Sequence, residues 1–467
     1  MTRRLLPEAF EKEFRATFGT ELFSRVSRAI TEGDPVTSIR LNRLKAAFRP
    51  GEADPVAWMP DLGASIPGER PVFGADPLWH VGAYYVQEAG SMFVSGYLEG
   101  ENPEVVLDLC AAPGGKSTLL RDFFTPDERL SSPLLIANEP MGDRAIVLRE
   151  NLLRWGADET IVTSAYPQAL AESGLRADLI LVDAPCSGEG MFRKDPDSIT
   201  EWSPENVDLC VSRQREILSA AWEMLKEDGL LIYSTCTLNP RENEEQLAWL
   251  GERYPIELVT LAPEWDGLCL LRRGVYRFMP GVTRSEGLTI FAVRKRSESI
   301  RMRPIRLPKP PKTNVPEVLK ALPQSFYEFE GKLSLLSDRG KETIARLQST
   351  KGIRILSAGL PLGEAKGKDF LPAQGWVSSG IFARCLPYPR LEITAEQALS
   401  LLKKETPQIE APSKGIYLLS YRGLPLTLIK HLGNRYNSFY PKEWAIRNTG
   451  LTISDLPSLP IQIKDSL

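Results

Sequence analysis

Short apolar runs alternate with helix-like stretches from residue 105 to residue 293, and this alternation restricts the possible folds more than any other feature. The runs are 105–109, 134–137, 160–163, 179–182, 230–233 and 288–293, with helical patterns at 116–124, 143–155 and 212–225. Strands that are apolar on both faces need cover on both faces, and the intervening helices supply it. The expectation is an α/β domain over 99–298 built on a doubly wound, Rossmann-like parallel sheet. Its ligands should sit at the carboxyl ends of the strands.

On the amino-terminal side, residues 1–98 read as a small α/β appendage. Ala9, Phe10, Phe14, Phe18, Leu22 and Val26 recur at helical spacing and predict a helix over 5–33. Residues 35–42 alternate as a strand does, 50–77 read as irregular, and 81–97 read as a helix. On the carboxyl side, 299–314 form a linker whose stretch 301–312 holds four prolines and five basic residues. A further α/β unit is expected over 315–390. A last unit, 391–467, should contain a helix near 396–404 and two strands, 415–421 and 424–430, joined at Arg422-Gly423.

Charge divides the chain in the same place. Residues 301–467 hold 25 Lys and Arg against 14 Asp and Glu, a net +11, whereas the whole chain has a net charge of −3. A basic segment on an acidic chain points to a polyanionic partner. No apolar run follows Arg3-Arg4, and none is long enough to span a membrane, so neither a signal peptide nor a membrane partner is expected. Six cysteines with no CxxC pair suggest free thiols in a reducing cytoplasm, with no disulfide framework and no metal site.

The strand ends carry the chemistry. The run 105–109 enters Cys110-Ala111-Ala112-Pro113-Gly114-Gly115-Lys116, a glycine loop followed by a helix. Such a loop brings main-chain N–H groups close to a ligand, although it matches neither the P-loop nor the full dinucleotide pattern. Glu139 ends the next strand 24 residues after Gly115, close to the spacing at which an acid accepts from ribose hydroxyls. Together these features favour an adenosine-bearing ligand. Asp183-Ala-Pro-Cys186 follows another strand and Cys236 follows the next, so both thiols should lie on the ligand edge. C5 of cytosine is a poor nucleophile until a thiolate adds to C6, which suits a cysteine beside a methyl donor. Asp183 is placed to act at the Watson–Crick edge, and Lys116 is a nearby cation for the thiol. A DNA-type enzyme would instead use Cys186. Cysteine is also a common buried small hydrophobe, the reading kept for Cys210, Cys269 and Cys385 and for the side chain of Cys110.

The loop 110–116, Asp183-Ala-Pro-Cys-Ser-Gly-Glu-Gly, Thr235-Cys-Thr and Tyr85-Val-Gln-Glu-Ala-Gly-Ser-Met resemble the RNA cytosine-C5 methyltransferases of the NOL1/NOP2/Sun family. Gly359-Leu-Pro-Leu-Gly, Arg422-Gly-Leu-Pro-Leu and Tyr440-Pro-Lys-Glu-Trp resemble its bacterial 16S rRNA methyltransferase F branch, which carries an extra domain and a PUA-like RNA-binding domain. The resemblance implies S-adenosylmethionine in the 110–116 loop, Glu139 on its ribose, and Asp183 near the methyl group and the base. It implies Cys236 as nucleophile, Cys186 assisting release, and Lys116 and Asp183 flanking the flipped cytosine. It also implies an RNA substrate, 16S rRNA before tRNA, and a chain acting as a monomer. A ribosome-assembly factor without catalysis is the competing class. The family often has an acid shortly after the third strand to hold adenine, and here Tyr166 stands nearest that place.

Overall fold

A computed structural model describes residues 5–125, 132–261, 267–272, 274–297, 319, 325–366 and 369–464. The basic linker expected at 299–314 lies outside the described residues.

The expected sheet is present and is built from ten strands. In chain order they are β1 (Val105–Asp108), β2 (Leu134–Asn138), β3 (Thr160–Ser164), β4 (Ala177–Asp183) and β5 (Leu225–Thr235), followed by β6 (Ile256–Val259), β7 (Cys269–Arg272), β8 (Val275–Phe278), β9 (Leu288–Lys295) and β10 (Arg354–Ala358). Across the sheet the order is β7-β8-β9-β5-β4-β1-β2-β3-β10, with β6 also paired to β9. The five central strands are parallel, and β9 runs antiparallel to β5. Successive residues point to opposite faces. Val106, Leu135 and Leu179 thus join one core with the helices Gly115–Phe123 and Gly142–Trp155. Leu107, Ile136 and Ile180 join another with the helix Pro204–Met224.

The outermost strand, β10, comes from the unit read over 315–390, and pairs antiparallel with β3. The sheet therefore does not end at residue 298. An edge strand exposes unpaired main-chain groups, and β10 covers those of β3. The remaining strands of that unit form a separate four-stranded sheet, as do those between Arg390 and Ser438. Near its end the chain returns to the appendage, where Ile461–Ile463 pairs with Ala46–Phe48. Among the described residues, no helix is long and apolar enough to cross a membrane.

Three expectations about the appendage change. The helix read over 5–33 is two helices, Glu8–Phe18 and Thr20–Glu32, because Gly19 sits at φ +87° and breaks the ladder. The region 50–77 contains two short paired strands, Asp54–Pro55 and Gly63–Ile66. The segment 81–97 is a strand, Tyr84–Val86, followed by 3-10 turns over Gly90–Tyr97. There the Glu88 carboxylate accepts the N–H groups of Gly90 and Ser91, both at 2.9 Å, which turns the chain out of the strand.

One buried arginine fastens the appendage to the helix that follows the glycine loop. Arg40 is fully buried and donates to Asp122 at 2.7 Å, Thr118 Oγ1 at 2.6 Å and Gln87 Oε1 at 2.7 Å. Trp155 Nε1 donates to the other oxygen of Asp122 at 3.0 Å, and the Arg40 guanidinium lies 4.6 Å from the Trp155 ring centroid. Removing one member of such a pair leaves a buried charge without its partner. Arg40→Met should therefore lower unfolding stability by about 3–5 kcal/mol, read from the midpoint of urea denaturation.

Candidate active site

The register of β4 and β5 places the reactive side chains. Ser234 lies opposite Asp183 at the carboxyl ends of these parallel strands, so the chain leaves the sheet twice at the same point. Just beyond, the Cys186 and Cys236 sulfurs are 3.3 Å apart. The two loops are joined directly, because the Gly190 N–H donates to the Cys236 carbonyl at 2.9 Å.

Asp183 is held on both oxygens: Ser234 Oγ donates to Oδ1 and Lys116 Nζ donates to Oδ2, each at 2.7 Å. Burial works against the Lys116 charge. Asp183, followed by Asp108 and Cys236, more than offsets this and holds the ammonium above the ordinary lysine range. Lys116 is therefore a fixed cation within electrostatic reach of the Cys236 sulfur. The Cys186 thiol is pushed well up by its hydrogen bond to Cys236 and then by burial, so it stays neutral and can donate.

Two buried carboxylates beneath the sulfurs hold the loops in place. Glu242 accepts the Ser187 N–H at 3.1 Å, the Ser187 hydroxyl, Gln214 Nε2 at 2.7 Å and Asn239 Nδ2 at 2.9 Å. Glu189 accepts the N–H groups of Leu238 and Asn239 at 2.8 and 2.9 Å, and Trp202 Nε1 at 3.1 Å. Each acid ties the Cys186 loop to residues that follow Cys236.

The glycine loop lies beside this cluster. Gly114, at φ +112°, precedes the helix Gly115–Phe123, whose first N–H groups have no carbonyl partner within the helix. The Arg144 side chain donates to the Ala112 carbonyl at 3.0 Å, and Asn151 Nδ2 donates to that of Pro113 at 2.8 Å. Burial pushes the Cys110 thiol well up, so it is inert, and its contribution to the loop is main-chain. Glu139 is buried at the end of β2, with one oxygen accepting the Met141 N–H at 3.0 Å and the other 3.5 Å from the exposed Arg144. Asp108, at the end of β1, accepts the Ser117 hydroxyl on Oδ2 at 2.6 Å, while its buried Oδ1 has no partner. Burial raises this carboxyl to about 7.

These residues fit S-adenosylmethionine. The unpartnered Asp108 oxygen suits an ammonium group, the main-chain N–H groups suit a carboxylate, and Glu139 suits ribose hydroxyls. Tyr166, at the start of the helix Pro167–Glu172, is 70% exposed, and Met141 beyond Glu139 is 58% exposed. The structure thus brings Lys116, Asp183, Cys186 and Cys236 together, with Glu139 on the β2 side of the loop. Sequence reasoning missed Ser234, Asp108, Glu189 and Glu242. Asp108 alone carried a signal, as an acid inside an otherwise apolar strand.

A sheet of this order, with a glycine loop after β1 and an acid at the end of β2, defines an S-adenosylmethionine-dependent methyltransferase. The family model described as 16S rRNA methyltransferase RsmB/F matches residues 95–294. Models for the N-terminal domain of 16S rRNA methyltransferase RsmF and for the methyltransferase RsmF PUA domain match 6–89 and 388–446. The ribosomal RNA small subunit methyltransferase F of Klebsiella pneumoniae is 30% identical over 94% of this chain and 96% of its own length. That of Shewanella frigidimarina is 30% identical over 89% and 92%. Among solved structures, a methyltransferase homolog protein from Pyrococcus horikoshii superimposes with a TM-score of 0.52 at 26% identity, over 62% of this chain and 95% of that one. NSun6 from the same organism, solved with SFG, shares the fold with a TM-score of 0.52 at 18% identity, over 63% of this chain and 100% of that one. The chain belongs to the 16S rRNA methyltransferase RsmB/F family, on its RsmF branch, and it methylates ribosomal RNA with S-adenosylmethionine as methyl donor.

Proposed function

We propose that this chain methylates C5 of a cytosine in 16S rRNA through a covalent bond between Cys236 Sγ and C6 of the base. The observation that carries the reading is the pair of sulfurs 3.3 Å apart beside the Lys116–Asp183 ion pair, at the edge where the cofactor loop ends. An enzyme that methylates an exocyclic amine needs neither thiol. Adenine N6 and cytosine N4 are therefore poorer targets, because they leave this arrangement unexplained.

The roles follow from the chemistry. Cys236 adds to C6 as a thiolate, favoured by the fixed Lys116 charge. Asp183 meets the Watson–Crick edge of the base as a carboxylate that accepts from its N4 amino group, and the Lys116 ammonium beside it offsets the negative charge that gathers at N3 on addition at C6. The resulting enamine carries nucleophilic character at C5, and bound S-adenosylmethionine supplies the electrophilic methyl group. A base then takes the C5 proton, the C5–C6 double bond re-forms, and the C6–S bond breaks. Cys186, a neutral thiol at hydrogen-bond distance, donates to the departing Cys236 sulfur. The cofactor is assigned to Cys110, Ala111, Ala112, Pro113, Gly114, Gly115 and Lys116, with Glu139 on the ribose and Asp183 near the methyl group.

Residues 1–98 and 391–467 are assigned to RNA binding around the methyltransferase domain 99–298, with 315–390 as the extra unit. The chain is read as a monomer acting in the cytoplasm, where its free thiols stay reduced.

Substrate carrying tritium at cytosine C5 tests the reading. Each methyl group added should release one tritium to water, from 16S rRNA and not from a tRNA transcript. Methyl incorporation without tritium release would place the methyl group on another atom.

A further inference from the structure

We propose that the cavity between the appendage strand Tyr84–Val86 and the helix Gly142–Trp155 captures an unpaired nucleotide of the RNA substrate, stacking its base on aromatic side chains and meeting its phosphate with Arg154.

The cavity has a volume of about 220 Å³ and is lined by Phe73, Trp79, Tyr85, Trp155 and Arg154 among others. It has no Asp or Glu in its lining, whereas the other described cavities each contain at least one. Aromatic faces with a cation and no acid suit an aromatic ring joined to an anion. In an RNA enzyme, a nucleotide has that chemistry.

Arg154 is the second observation. Of the buried arginines among the described residues, Arg40, Arg193 and Arg277 each pair with a carboxylate. Arg121 donates to the carbonyls of Pro133, Asp158 and Glu159 and to Thr125. Arg154 is 8% exposed, donates to Asn151 Oδ1 at 3.1 Å, and has a buried Nε without a partner. Its guanidinium lies 4.3 Å from the Trp79 ring centroid and 5.1 Å from that of Trp444. Glu150, one turn away, attracts it without forming an ion pair within 4 Å. Burial lowers the pKa of this guanidinium, the cost of holding a charge without a counter-ion. A planar cation fixed between rings, with donors to spare, is suited to a phosphate.

Two residues of the cavity lining also hold the cofactor loop. Tyr85 Oη and Asn151 Nδ2 donate to the Pro113 carbonyl at 3.2 and 2.8 Å, and Lys116 ends the same loop. The captured nucleotide therefore belongs to the strand that presents the target base, on its appendage side. Stacking plus one phosphate contact does not read base identity, so the site positions the RNA and tolerates sequence.

The inference rests on the RNA-methylating reading, and the test separates the two. The full chain is irradiated with a 16S rRNA fragment carrying 4-thiouridine, and cross-linked peptides are mapped. Cross-links are expected within 70–86 and 151–155, and they should persist in Cys236→Ala. Arg154→Gln should weaken RNA binding about tenfold and flatten the slope of log K against log salt by about 0.7, one phosphate on a single strand. Trp79→Leu should weaken binding to a similar degree with the slope unchanged. Affinity for S-adenosylhomocysteine and the melting temperature report folding of both variants, and the wild-type cross-link map needs neither. RNA bound with cross-links only elsewhere would overturn the proposal, as would an Arg154→Gln variant with unchanged affinity and slope. A chain that binds no RNA would sink the broader reading along with it.

Discussion

Cys236→Ala is expected to lose methyl transfer to 16S rRNA by roughly 10⁴- to 10⁶-fold, the scale on which enzymes lose rate when a nucleophile is removed. Unless C6 is attacked, C5 does not become nucleophilic. Cys186 cannot take over without moving, because the loops are fixed by Glu189 and Glu242, and burial still opposes ionisation of its thiol once the Cys236 sulfur is gone. Cofactor affinity should stay within a few-fold. The loop 110–116 and Glu139 belong to the β1 and β2 ends, and the Cys236 side chain supports neither. A tritiated-methyl assay with calorimetric titration of S-adenosylhomocysteine reads both quantities. Wild-type activity in the variant would remove Cys236 from its role. A parallel loss of cofactor affinity would show that the substitution had disturbed the strand ends instead.

The central sheet and the reactive groups could be read from the sequence because both obey short-range rules. The runs 105–109, apart from Asp108, and 230–233 are apolar without alternation, as strands buried on both faces are. Cys186 and Cys236 each follow such a strand by a few residues, so the parallel register brought them together without further information. The scaffold beneath them follows no such rule. Glu189 lies inside the Asp183–Gly190 motif and Glu242 outside any motif, and neither drew a role, since nothing local indicates that Trp202, Gln214 and Asn239 will converge on them. Arg40 is similar: its partner Asp122 lies 82 residues away, on a helix of another unit. Burial of a charge depends on long-range packing, and hydrophobic periodicity does not record it.

The unit boundaries show the same limit. A composition shift marks the basic proline-rich stretch well, but it cannot show that a strand beyond it returns to the first sheet. β10 has the residues of any half-buried strand. Its pairing with β3 is accompanied by a second long-range tie, the Ser337 N–H donating to Glu159 just before β3, and neither partner is marked by its local sequence. The single helix read over 5–33 failed for a local reason instead. The apolar spacing continues through Gly19, which leaves helical φ while both flanking helices bury their phenylalanines against Phe192 and Trp202.

Cys186→Ala is expected to trap the protein on its RNA. In the proposed mechanism, Cys236 remains bonded to C6 after methyl transfer until the C5 proton leaves and the sulfur departs. The neutral Cys186 thiol, 3.3 Å away, is the group placed to donate to that sulfur as charge returns to it. Its removal leaves addition and methylation possible and slows the last step, so the adduct accumulates. On a denaturing gel with labelled 16S rRNA, Cys186→Ala should give a shifted protein–RNA band that requires S-adenosylmethionine. Wild type should give little of it, and the Cys186→Ala, Cys236→Ala double variant none. The DNA-type arrangement predicts the mirror image, because there the thiol after Asp183-Ala-Pro is itself the nucleophile. An adduct formed by Cys236→Ala but not by Cys186→Ala would exchange the two roles. Absence of any adduct in Cys186→Ala, with turnover intact, would mean that elimination needs no help from the second thiol.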